Sequence, residues 1–532
     1  MKLLKLSGMA VVAMAFEPLR LDFTVRRGNN LIEAQGPGGV EPPMLRKRDS
    51  AEMELTNAQT YYMCTLKFGS NSDEVKVLVD TGSSDLWVSS HDVNCLAPST
   101  QKRDYRNFEA FLERQHKRDE PSGTTDENTD PSKTENKWNP FAFTTIFYSN
   151  APATGDVTGS SDGSGECTKL GSFATESSNS WKVNQSESFF IQYADGTAAK
   201  GVWGTDRVGF DQTFVDGLTF AVANKSSSDV GVLGIGLQGL ESTLNKYSNL
   251  PMKLKEQGKI AKNLYSLYLN SQDAKTGSIL FGGVDHAKYE GDLLALPIVS
   301  SEKLTHQIIR LEVPLYGINL VGSNNQNISV TNNKYPALLD SGTTLTYLPK
   351  AMVQTIANAL NADYSQRNGG YMMECITDSN AYLDFDFAGK VIRVPITDMQ
   401  VGTSSSKYCM LGIMTQDSDS SSNPYLVLGD NFLRNAYIVY DLDDMIISMA
   451  QVKFTDEENI EVITSTISGL QTASAVTSFA SQMENTQNAQ LSTGSSSHSG
   501  SSSSDKKNNA KTTSVGISCM LGSLMICGMF LL

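Results

Sequence analysis

Leu78-Val79-Asp80-Thr81-Gly82-Ser83 and Leu338-Leu339-Asp340-Ser341-Gly342-Thr343 are two versions of one short text. Each begins with apolar residues, reaches an aspartate, and turns through a small hydroxyl residue and a glycine. The first copy is fed by Val75-Lys76-Val77-Leu78-Val79, which alternates and then becomes wholly apolar, as a strand entering a core does. A carboxylate straight after such a strand is costly to bury unless donors meet it. The turn offers them. Gly82 and Gly342 let the backbone bend sharply and come close to the carboxylates. The hydroxyls of Ser83 and Thr343 can donate to the two aspartates, and Thr81 and Ser341 can reach across and lock one turn to the other.

A second match sharpens the repeat. An apolar run ending in glycine follows each turn, Val232-Leu233-Gly234 and Val427-Leu428-Gly429. Asp340 and Gly429 are 89 residues apart; Asp80 and Gly234 are 154 apart, or 83 once a 71-residue insertion at 96–166 is discounted. Two lobes of similar plan emerge. A two-fold relation between them would bring both carboxylates to one interface. Like charges that close cannot both ionise, so the pair would share a proton. One carboxylate then acts as general base on a water, and its protonated partner polarises a carbonyl. A lone Asp-Thr-Gly is a common structural turn; two in matching contexts predict hydrolysis.

Other motifs lack their contexts. Gly159-Ser160-Ser161-Asp162-Gly163 matches G-x-S-x-G but has no strand before it. Gly234 to Gly239 matches G-x-G-x-x-G without a surrounding βαβ pattern. The five histidines, at 91, 116, 286, 306 and 498, show no ligand spacing, so no metal and no cofactor is expected.

At 532 residues and 39% hydrophobic, the chain can bury one large bilobal core. Its net charge of −15 argues against nucleic acid as a partner and fits a protein that works in acid or attracts basic substrates. Lys2 and Lys5, an apolar run to Ala15 and Ala13-Met14-Ala15 read as a signal peptide, 1–15. Residues 16–48 end in Arg46-Lys47-Arg48, which reads as a propeptide with its processing site at Lys47 and Arg48. The insertion 96–166 is charged, then Gly/Ser-rich, as disordered surface sequence is. After Thr464 a Ser/Thr/Asn/Gln-rich stalk is expected to 508. The apolar stretch Val515 to Leu532 has the length of a tail-anchor helix. Its polar spacer and small residues, with Asn508 as the candidate attachment point, fit a GPI signal, with 509–532 removed.

Two of the seven cysteines, Cys519 and Cys527, lie in that tail. Cys64 sits in a strand-like run and is expected to be a buried free thiol. Cys95, Cys167, Cys375 and Cys409 allow three pairings; the simplest is local, 95–167 and 375–409, the first tying off the insertion at its base. Asn184, Asn224 and Asn327 begin N-x-S sequons.

On these residues the chain from about Leu55 to Lys453 resembles the pepsin-like aspartic proteases, and more closely the yapsins, the GPI-anchored fungal members. The matching stretches are Val79 to Trp87, Leu338 to Pro349, Leu428 to Tyr437 and Ile447 to Gln451. The resemblance implies an all-β, bilobal fold with its active-site cleft between two pseudo-symmetric lobes, 49–290 and 291–455. It implies a flap over the substrate at Gln192 to Thr197. Tyr193 would be the flap tyrosine, its hydroxyl near the Trp87 indole, with Ala194 where a glycine is usual. It also implies cleavage of polypeptides beside Lys or Arg, mono- or dibasic. Asp195 on the flap is a physical candidate to meet the basic side chain, or simply stabilises the hairpin turn. Arg46-Lys47-Arg48 would be an autoprocessing site. Lys102-Arg103 and Lys117-Arg118 would be cuts in the insertion, turning a monomer into two disulfide-linked chains. Lys506-Lys507 is similar to the dibasic pattern of plasma-membrane retention, with the cell wall as the other destination. Two readings compete: a catalytically silent cell-surface protein that keeps the groove to bind peptides, and a structural wall mannoprotein, which explains the tail but not the repeat.

Overall fold

The computed structural model describes residues 18–28, 59–96, 167–193, 197–301, 307–322, 326–366, 369–377, 380–402, 407–416 and 425–473, all within the unit Met1–Glu484. The expected signal peptide, Lys47 and Arg48, the insertion from residue 97, Asp195, Asn508 and the tail lie outside the described residues.

The architecture is all-β and bilobal, and each lobe presents its aspartate in the same way. In the first, Asp73–Asp80 runs into the core and is buried at its last four positions. It pairs in parallel with Gly231–Gly234, Asp80 opposite Gly234. The strand leaving the turn, Leu86–Cys95, pairs antiparallel with the other edge of Gly231–Gly234. In the second lobe, Tyr335–Leu339 pairs in parallel with Leu426–Leu428, whose other edge takes Thr346–Pro349. So the apolar-Gly run found in the sequence is a strand wedged between the strands that enter and leave each turn. A carboxylate at that crossing is held from three sides.

A single 14-stranded sheet runs through both lobes. Within it Ala436–Asp441 lies between Ile446–Val452 and Leu264–Tyr268, so strands far apart in the chain interleave. The expected lobe boundary at 290/291 therefore falls inside a strand of this sheet, Tyr289–Pro297, at a bulge between Glu290 and Leu294. The segment read as a propeptide contributes another strand. Leu19–Gly28 is inserted between Thr276–Phe281 and Gln59–Phe68. Phe23, 1% exposed, meets the Tyr62 ring edge-on at 5.2 Å.

The chain is still paired and packed beyond 464, where a stalk is expected. Ile460–Val462 pairs with Gly283–Asp285 and Gln471–Thr472 pairs with Tyr289–Pro297. Ile463 and Ile467, 1% and 5% exposed, pack with Tyr437 and Val439. Polar composition hid the segment, because two isoleucines and a leucine are all it needs to dock. Leu96 is likewise buried, so the insertion begins at least one residue beyond 96.

A helix spans Lys350–Ala359 and buries Met352, Val353, Ile356 and Ala357 on one face. It stops at Asn361, which takes a left-handed conformation, φ 52°. Cys95 pairs with Cys167 and Cys375 with Cys409, while Cys64 is a buried free thiol. Among the described residues no helix is long and apolar enough to cross a membrane.

Candidate active site

The two turns meet and grip each other reciprocally. Thr81 N donates to Ser341 Oγ at 3.1 Å, and Ser341 N donates to Thr81 Oγ1 at 2.9 Å. Each hydroxyl then donates to a carbonyl ahead of the opposite aspartate. Thr81 Oγ1 bonds Leu339 O at 2.8 Å, and Ser341 Oγ bonds Val79 O at 3.0 Å. Four buried bonds thus join segments 260 residues apart in sequence. At about 1 kcal/mol net apiece they fix the turns more firmly than the apolar contact alone.

Asp80 and Asp340 are 4% and 2% exposed and hydrogen-bond to each other. Gly82 N donates to Asp80 Oδ1 at 2.8 Å and Gly342 N to Asp340 Oδ1 at 2.9 Å. Thr343 Oγ1 donates to Asp340 Oδ2 at 2.7 Å, and the Ser83 side chain bonds Asp80. The glycines have a second task. A Cβ on Gly82 would sit 2.4 Å from Asp340 Oδ1, and one on Gly342 would sit 2.4 Å from Asp80 Oδ1. Each turn leaves a space that the other turn's carboxylate fills.

Burial raises both carboxyl pKa values, and the charge of Asp80 pushes Asp340 further, well above the usual carboxylate range. The pair titrates as a unit and keeps one proton where free carboxyls have lost both. Such a pair offers an acceptor and a donor a few ångströms apart, which is what water-dependent cleavage of an amide needs.

Trp87 Nε1 donates to Tyr193 Oη at 2.6 Å, both residues being buried in one cluster with Phe189, Ile191 and Trp203. Tyr193 N donates to Thr197 O at 2.8 Å across the hairpin. Asn184, Asn224 and Asn327 are exposed. Among the described residues no group of His, Cys, Asp and Glu could hold a metal ion.

Three acidic residues near the turns were not singled out in the sequence. Asp430 opens the short helix Asp430–Leu433, is 1% exposed, and has one carboxylate oxygen without a partner among the described residues. Burial raises its pKa, with Arg434 acting against the shift. Its signal was present, as the residue directly after the second apolar-Gly run. Asp85 accepts Tyr247 Oη at 2.7 Å and Ser242 N at 2.9 Å. Glu241, 3% exposed, accepts Tyr247 N at 2.8 Å through Oε2, while Oε1 has no partner among the described residues. Burial, with the Asp85 charge nearby, pushes the Glu241 carboxyl up to about 8. Tyr247 stacks obliquely on Trp203 at 5.7 Å, tying these acids to the Tyr193 cluster.

Known proteins are similar to this chain in sequence. The family described as Eukaryotic aspartyl protease matches residues 61–452. Secreted aspartic protease 9 of Candida albicans is 42% identical over 488 residues, covering 86% of this chain and 89% of that protein. Aspartic proteinase 3 of Saccharomyces cerevisiae is 38% identical over 477 residues, 84% of this chain and 80% of the other. Aspartic proteinase yapsin-3 of the same yeast is 36% identical over 438 residues, 79% and 72% of the two chains. A gripped pair of buried aspartates and these relatives lead to one conclusion: the chain belongs to the eukaryotic aspartyl proteases and is a fungal aspartic endopeptidase of the yapsin and secreted aspartic protease type.

Proposed function

We propose that Asp80 and Asp340 are the catalytic pair of this endopeptidase. The observation that carries the assignment is their mutual hydrogen bond in a buried site. In the singly protonated pair, the ionised carboxylate takes a proton from water as the water oxygen bonds the peptide carbonyl carbon. The protonated carboxyl gives its proton to the carbonyl oxygen, leaving a neutral gem-diol. The proton taken from water then passes to the amide nitrogen. The C–N bond breaks, and a gem-diol hydroxyl returns its proton to the pair. Tyr193, on the flap hairpin and held by Trp87, closes over the substrate.

The substrate reading is cleavage beside Lys or Arg at mono- or dibasic sites. The likeness to yapsins and the acidic balance of the chain support it. Asp195 is the proposed partner of the basic side chain. The protein is secreted, carries glycans at Asn184, Asn224 and Asn327, and is held at the plasma membrane or wall through a GPI lipid at Asn508. Its tasks there are proprotein processing, shedding and wall maintenance. Maturation cuts after Arg48, and cuts in the insertion give two chains held by the Cys95–Cys167 bridge.

The test is hydrolysis of a Lys-Arg peptide at pH about 4 to 6, with pepstatin and with Asp80→Asn. Activity that persists in Asp80→Asn refutes the pair. Equal turnover of a peptide with neutral residues at the same positions refutes the basic preference. Asp195→Asn should then raise KM for the basic peptide alone.

A further inference from the structure

Beneath the paired turns, Tyr265 and Tyr440 stand directly opposite each other on neighbouring strands of the shared sheet. Both are fully buried, and their rings stack at 4.9 Å with an interplanar angle of 25°. Each hydroxyl is aimed at a different part of the first turn. Tyr265 Oη donates to Ile235 O at 2.9 Å, and Ile235 N donates to Asp80 O at 2.9 Å. The Tyr440 side chain meets that of Thr81. Its oxygen forms no hydrogen bond of regular geometry among the described residues, which leaves a buried donor in want of an acceptor.

Thr81 Oγ1 can be that acceptor. Its own proton goes to Leu339 O, and one lone pair takes the Ser341 amide. A hydroxyl oxygen has a second lone pair. The Tyr440 O–H can fill it with a small movement of the turn.

We propose that Tyr440, braced by Tyr265, is a positioning residue for the aspartate pair, its hydroxyl completing the coordination of Thr81 as substrate closes the site. The Tyr440 O–H dipole then points at the grip that carries Asp340 and favours the ionised state of the pair. The titratable groups around it are Tyr265 across the sheet and Asp80 and Asp340 above. Asp441, next on its own strand, is neutralised by Lys262 at 2.5 Å. Burial pushes the Tyr440 phenol up, so it stays a donor throughout the working range.

The proposal rests on the catalytic reading of Asp80 and Asp340, and the test separates the two. Tyr440→Phe keeps the ring stack and removes only the hydroxyl. Kinetics are measured from pH about 3 to 7, with active enzyme titrated by pepstatin so that misfolded protein is not counted. We expect kcat to fall about three- to tenfold at nearly constant KM, the loss of one buried hydrogen bond felt at the transition state. The acid limb of kcat/KM should move up by a few tenths of a pH unit, since the pair ionises less readily. Tyr265→Phe should lower kcat and leave the acid limb in place. If Tyr440→Phe matches the parent in kcat and in pH profile while Asp80→Asn is inactive, the positioning role is refuted and the pair stands. A lowered melting temperature with unchanged kinetics refutes it equally. An active Asp80→Asn would remove the reading on which both depend.

Discussion

Glu241→Gln should flatten the pH dependence of stability, and the size of the effect follows from the burial of one carboxyl. In the folded chain Glu241 holds its proton up to about pH 8, against about 4.5 in an unfolded chain. Between those values the unfolded chain loses a proton that the folded one retains. Folding therefore binds a proton, and stability falls as pH rises through this window. Below about 4.5 the contribution is fully present, and above about 8 it is fully lost. A shift of that span corresponds to at most about 5 kcal/mol. Water reaching the edge of the cluster screens part of it, so about 2–4 kcal/mol is the working figure. Glutamine keeps the shape and the acceptor for Tyr247 N and cannot ionise. Melting temperatures of parent and variant would be measured at pH 4.5, 6 and 8. The difference between the two proteins is the informative quantity, because Asp80, Asp340 and Asp430 titrate in both. The variant should equal the parent or fall slightly below it at pH 4.5, and exceed it at pH 8 by roughly 3–6 °C. Curves that run parallel from pH 4.5 to 8 would refute the reasoning, since they would mean that Glu241 ionises in the folded chain as easily as in water.

Gly82→Ala and Gly342→Ala should each abolish turnover and destabilise the chain by about 2 kcal/mol or more, because a methyl group would meet the opposite carboxylate; turnover within tenfold of the parent in either would contradict the close approach. Thr81→Val and Ser341→Ala each remove two cross-turn bonds and should lower stability by about 1–3 kcal/mol. The two side chains hold separate pairs of bonds, so the double variant loses all four and should cost about the sum of the single losses, which a denaturant double-mutant cycle measures. Truncation after residue 473 should leave melting unchanged, whereas truncation after 459 or Ile467→Ala should cost about 2–4 kcal/mol, as the loss of a buried isoleucine does.

Legibility in the sequence followed the range of the interactions. The Asp turns could be read because the pattern of each lies within a dozen residues, and because the chain states it twice. The partners of Thr81 and Ser341 were also within reach, since symmetry dictates them. The Asp85, Glu241 and Tyr247 cluster was not, because Tyr247 and Asp85 are 162 residues apart and Glu241 sits in polar, loop-like sequence. Tyr265 and Tyr440 look like ordinary strand tyrosines until the sheet sets them face to face. Segment 464–473 reads as stalk for a compositional reason: its serines and threonines outnumber the residues that anchor it. Strand Leu19–Gly28 was hidden by its place ahead of a basic cluster, which drew attention to processing instead of pairing.

The spaces at Gly82 and Gly342 have a consequence for how this chain can change over generations. Each half of the site is moulded around an atom that the other half supplies. A substitution that reshapes one turn is therefore tested at once against the sister turn, and a half transplanted from a distant relative inherits a socket cut for someone else's acid. The two lobes descend along one path: neither can be retuned, swapped or tinkered with alone, and any lineage of such chains must edit its two turns as a single word.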